Sequence, residues 1–189
     1  MKRLNLNTEC PPALATEAEA VWARLRDMLR TADSIPLELF LYEPSAGPIF
    51  PITALYRYNA AQNVLTPIGE LVVEKLIYED KINFFAAIRQ AIKRSGANCL
   101  FFAWDAWCSR MTSQGYPGRP SQAPDRRECL VLRVELQDGD GWNARQFYTR
   151  VGSKVFVPNA MPELRYQAAQ VNGGYMQNWW MPTPVPANN

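Results

Sequence analysis

The chain of 189 residues contains no histidine. That absence removes Ser-His-Asp and Cys-His nucleophilic pairs, imidazole acid–base catalysis and most zinc sites. Any enzyme built on this sequence must run on carboxylates, Lys, Tyr, Ser or Cys. Cysteine is scarce: Cys10, Cys99, Cys108 and Cys129 form no Cys-x-x-Cys pair, so neither a metal knuckle nor a disulfide framework is indicated. Net charge is scarce as well. Twenty Lys and Arg against 18 Asp and Glu leave +2, without the dense basic stripe that argues for a nucleic-acid partner. Arg24, Arg26 and Arg30 alternate with Glu17, Glu19 and Asp27, which reads as a solvated helix face. No apolar run approaches the roughly 20 residues that cross a bilayer, and residues 1–10 lack the apolar core of a signal peptide. The expected setting is the cytoplasm, without a membrane partner, where a reducing poise keeps thiols free. Neither Gly-x-Gly-x-x-Gly nor Gly-x4-Gly-Lys-Ser/Thr occurs, so no cofactor is expected.

What is present is a globular composition, with 48% hydrophobic residues. Residues 1–13 read as an extended lead-in, 14–172 as one domain and 173–189 as a Trp/Pro-rich arm. Thr16 and Glu19 form a capping box, and the stripe Val21, Leu25, Met28, Leu29 predicts a helix running to about Thr31. Residues 36–42 and 52–58 read as strands. Residues 66–78 fit both states, with Thr66, Pro67 and Glu70 tipping them towards helix. Phe85, Ile88 and Ile92 mark a helix over 80–95, ended by Gly96. Residues 98–107 are apolar on both faces and so belong in the middle of a sheet. A Gly/Pro/Ser-rich loop, 111–127, leads to a strand at 129–136, and Asp-Gly-Asp-Gly at 138–141 marks a turn. Strands at 144–151 and 154–157 flank Gly152 and Ser153, and Pro162-Glu163 opens a short helix. The sum is an α+β domain: a mixed, mainly antiparallel sheet, helices on one face, and an extended C-terminal arm.

Three groups of residues could carry function. Asp105, Asp125 and Glu128, with Glu135 as a further candidate, are acids on or beside adjacent strands, the placement that lets carboxylates hold Mg²⁺ for phosphoryl chemistry. Pro124-Asp125 matches the Pro-Asp of restriction-type nucleases, but the following strand offers Glu135-Leu136-Gln137, without the lysine of their acid-x-Lys triplet. The structural alternative is an ion pair at Asp105 and a loop of surface charges. Cys108 ends a strand with no histidine to activate it, so it reads as structural. Tyr175, Trp179 and Trp180 lie in a proline-punctuated tail that either plugs a groove of its own domain or docks on another chain.

The central block resembles an uncharacterised family of phage and prophage proteins. The matching residues are Asp105-Ala106-Trp107, Pro120-Ser121 and Pro124-Asp125-Arg126-Arg127-Glu128, within roughly residues 80–137. The family form usually carries Glu where Asp105 stands. The resemblance implies a phage-type origin and supplies no mechanism; no metal site is expected. The expected function is a non-enzymatic interaction protein, acting in virion assembly or on a host (defence) protein. It would be found in the bacterial host cytoplasm or in the virion. Trp179, Trp180, Tyr175, Arg126 and Arg127 are the expected contact residues for a protein partner or self-association. The alternative is a metal-dependent phosphodiesterase or nuclease using Asp105, Asp125 and Glu128.

Overall fold

The computed structural model describes residues 8–32, 51–71, 81–110, 122–151, 154–167 and 179–180. The expected strand at 36–42, the Gly152-Ser153 turn and Tyr175 lie outside the described residues.

Helix α1 spans Pro12–Ala32. It starts one turn earlier than the capping box suggests. Pro12 takes the first helical position, where its missing N–H costs nothing, and Ala15 N donates to Pro11 O at 2.9 Å. Its buried stripe is Leu14, Ala18, Val21, Trp22, Leu25 and Leu29. Strand β1, Ile52–Asn59, turns at Ala60–Asn63 into β2, Val64–Leu71. Asn63 takes the left-handed conformation this tight turn needs (φ 51°). The segment 66–78, which the sequence tips towards helix, is therefore strand over 66–71, and its remainder, 72–78, lies outside the described residues. Pro67 is accommodated because β2 ends the order of paired strands and carries a bulge, with Leu55 facing Gly69 and Tyr56 facing Pro67.

Helix α2, Lys81–Ser95, ends where Gly96 adopts φ +66° and donates to Ile92 O at 3.1 Å. Asn98 then locks β1 by accepting from Tyr58 N at 2.7 Å and donating to Tyr58 O at 2.9 Å. Strand β3, Cys99–Cys108, lies between β1 and β4, Arg127–Leu136, in keeping with its two apolar faces. A turn at 137–140, with Gly139 at φ +96°, leads to β5, Gly141–Phe147. Tyr148 interrupts the run expected over 144–151. The chain resumes as β6, Thr149–Val151, paired with β7, Lys154–Phe156. No helix opens at Pro162. Residues 161–164 are irregular and lead into β8, Arg165–Tyr166.

The main sheet has the order β2-β1-β3-β4-β5-β8, and every pairing is antiparallel. The two helices do not share a face. Alternation along the strands gives each helix its own side. Tyr56, Phe101, Leu132, Val134 and Trp142 meet α1. Leu55, Leu100 and Phe102 meet Phe84, Phe85, Ile88 and Ile92 of α2. An apolar strand such as β3 needs cover on both sides, which one helical layer cannot provide. Trp179 completes the α2 side. It is 1% exposed, with ring centroids 5.6 Å from Phe85 and 5.7 Å from Phe102.

Candidate functional site

The sequence-derived candidates gather where β3 leaves the sheet and β4 enters it. The register is unbroken from Cys99 facing Leu136 to Cys108 facing Arg127, so side-chain direction can be read along its whole length. Asp105, Trp107 and Glu128 share the α1 face. Cys108, Arg127 and Cys129 share the α2 face.

On the α1 face the Tyr148 hydroxyl lies 2.8 Å from Asp105 Oδ1 and 3.2 Å from Glu128 Oε1. A phenol carries one proton, so it donates to one carboxylate at a time, and the two acids are coupled through it. Asp125 is engaged elsewhere. Its Oδ1 accepts from the Ser109 hydroxyl and its Oδ2 accepts from Arg110 N at 2.9 Å. That ties the residues just after β3 to the turn just before β4. Two of the three acids thus converge and the third closes the root of the loop. Among the described residues no group of three such side chains is arranged to hold a metal ion.

Both arginines of the loop end are exposed and stacked. The Arg126 guanidinium carbon stands 5.7 Å from the centre of the Trp107 ring, and that of Arg127 stands 4.3 Å from Phe147. A ring face can hold a guanidinium cation while its N–H groups stay available to a carboxylate.

The tail tryptophans are placed differently from an exposed docking arm. Trp179 is a core residue, and Trp180 donates its indole N–H to Ala97 O at 3.1 Å. Close to Trp179 lies a charged pair in which sequence reasoning named the acid, Glu135, but not its partner Arg133. Arg133 and Glu135, on the α2 face of β4, are 8% and 1% exposed, and Arg133 Nε donates to Glu135 Oε1. Burial raises the Glu135 carboxyl above its usual range, with Arg133 opposing the shift. The Trp179 indole N–H lies near this carboxyl without reaching hydrogen-bond geometry. It and Oε2 are both buried with no partner among the described residues.

A second concave region lies between α1 and the β1–β2 hairpin. It measures about 440 Å³ and is lined by Ala13, Thr16, Glu17, Tyr56, Leu65 and Pro67. Of its lining groups, Tyr56 donates to Glu17 Oε1 at 2.5 Å; elsewhere between α1 and β2, Arg24 makes a two-pronged bond to Glu70 at 2.9 and 2.7 Å. Burial first, and then the bond to Glu17, push the Tyr56 phenol well above its ordinary pKa.

The sequence reading also missed the pairing of Cys108 with Cys129. Their Sγ atoms are 2.8 Å apart across β3 and β4. The signal is visible only once the two strands are set in register, because 20 residues separate the cysteines in the chain. No family model matches this chain, and searches of curated proteins and of solved structures likewise gave no match.

Proposed function

We propose that this chain is a non-enzymatic interaction protein of phage type, which binds a protein partner through the loop end of its sheet. The observation that carries the reading is the pair of exposed, ring-stacked guanidinium groups, Arg126 on Trp107 and Arg127 on Phe147. Stacked arginine beside an aromatic ring is the residue pattern enriched at binding hot spots. Its N–H groups suit carboxylates, so the partner would present an acidic surface. The resemblance of the central block to phage and prophage proteins, which includes these two arginines, supports a partner in a bacterial cell or a virion.

The test is capture of partners from bacterial lysate by the tagged chain, beside its mass by size exclusion. Charge reversal at Arg126→Glu with Arg127→Glu should reduce capture of a stoichiometric partner, or self-association, by about tenfold or more. Capture that survives the reversal refutes the docking surface. A metal-dependent phosphodiesterase would rest on Asp105 and Glu128, which meet at Tyr148, without Asp125. Mn²⁺-dependent cleavage of nucleic acid that Glu128→Gln abolishes would replace the first reading with that one.

A further inference from the structure

We propose that Cys108 and Cys129 form a hydroperoxide-sensitive thiol pair that closes into a disulfide across β3 and β4. The inference stands apart from the docking reading and rests on different residues.

Geometry is its basis. Cys108 is the last residue of β3 and Cys129 the third of β4. In the register Cys108 faces Arg127 and Cys129 faces Ala106, so the two cysteines are diagonal neighbours on one face. Their Sγ atoms, 2.8 Å apart, need a shift of less than an ångström to reach bonding distance, about 2.05 Å. The two thiols also differ in access, as an attacking and a resolving sulfur should. Cys108 is half-buried and open to a small oxidant, while Cys129 is fully buried behind it.

The surroundings assign the roles. The bond from Cys129 holds the Cys108 thiol down to about 7, with burial opposing, Arg145 on β5 helping and Asp105 on β3 opposing. Cys129 is pushed the other way, chiefly as the donor in that bond and also by burial. Cys108 is therefore the sulfur of the pair richer in thiolate near neutral pH, and the thiolate is the form that attacks.

The chemistry balances with a hydroperoxide as oxidant. Cys108 thiolate attacks the distal oxygen, the O–O bond breaks, and Cys108 becomes a sulfenic acid as alkoxide or hydroxide leaves and takes up a proton. Cys129 sulfur then attacks the Cys108 sulfur, the S–O bond breaks, and water leaves with the Cys129 proton. A thiol reductant reverses the step by supplying two electrons and two protons. The product would fasten together the two roots of the loop between β3 and β4.

The experiment treats the full chain with hydrogen peroxide at pH 7, counts free thiols and maps peptides without reduction. Two of the four thiols should disappear together, in a single linked peptide joining Cys108 to Cys129 that dithiothreitol separates. Cys129→Ser should trap Cys108 as a sulfenic acid captured by dimedone. Cys108→Ser should slow thiol loss by about fivefold or more, because the more reactive thiolate is gone. Retention of all four thiols, a link through Cys10 or Cys99, or unchanged oxidation of the Cys108→Ser chain would overturn the proposal. Equal melting temperatures of the reduced wild type and the Ser variants would show that oxidation is being compared between folded chains; a variant that melts lower is replaced by Cys→Ala, read the same way.

Discussion

Replacing Arg133 with Met would leave Glu135 as a buried carboxylate without its cation. Glu135 is 1% exposed, and Arg133 is the charged partner bonded to it. Removing one member of such a pair costs about 3–5 kcal/mol, a large share of the roughly 5–15 kcal/mol that holds a domain folded. The cost should depend on pH in one direction. The Glu135 carboxyl is already raised in the folded chain above its ordinary 4.5. A raised group gives its full stability below the unfolded value and loses it as pH rises through the folded value. Without Arg133 the folded value climbs further, at about 1.4 kcal/mol per unit. The deficit of Arg133→Met should therefore be large at pH 8 and shrink steadily as the pH falls towards and below 4.5, where the carboxyl becomes protonated in both states. Urea unfolding of both chains at pH 5 and pH 8 measures it, with an unchanged slope confirming that stability alone moved. At pH 8 the melting temperature should fall by roughly 6–20 °C. Adding Glu135→Leu should recover most of the loss, because an apolar pair leaves no charge to desolvate. A deficit below about 1 kcal/mol at pH 8, or the same deficit at both pH values, would refute the reasoning.

Trp179→Ala should cost about 3–5 kcal/mol by emptying the space between Phe85 and Phe102, read from thermal melts. Gly141→Ala should lose roughly 1–3 kcal/mol, since a Cβ there would stand 2.9 Å from Gln167 O and 3.1 Å from Val134 O, both on backbone. Weakened amide protection at Gln167 N, which donates to Gly141 O, would report the displaced strand. Arg24→Ala should cost no more than about 1 kcal/mol in urea unfolding, despite the two-pronged bond to Glu70. Its side chain is 53% exposed and water screens the pair.

Local chemistry made some elements legible. Phe84, Phe85, Ile88, Ile92 and Gly96 state a helix and its end without help from distant residues, and α2 is where they put it. The two apolar faces of β3 likewise state a central strand. The misreadings occur where two local signals compete or where the deciding partner is remote. Pro12 and the Thr16–Glu19 box both open helices, and the earlier one prevails because Leu14 already has a core to enter. Thr66-Pro67 imitates a helix start, yet pairing with β1 decides for strand, a preference residues 66–71 do not encode alone. Asp125 and Ser109 meet through a loop closure, and Cys108 and Cys129 through strand register. Neither relation has a spacing that could be seen in advance. Trp179 is the clearest instance: its own neighbours say only that it cannot join a helix, and its place depends on Phe85 and Phe102, 94 and 77 positions earlier.

The burial of Trp179 also bears on how the chain is made. Helix α2 ends at Ser95, and the tryptophan that closes its apolar side is synthesised 84 residues later. At translation rates of about 5–20 residues per second, that interval lasts roughly 4–17 s. During it Phe85 and Phe102 have each other and no lid. All eight described strands are already synthesised before the lid arrives. The nascent chain therefore carries an aromatic patch through about two-fifths of its synthesis, and this is the stage at which a chaperone would bind it and at which aggregation would begin.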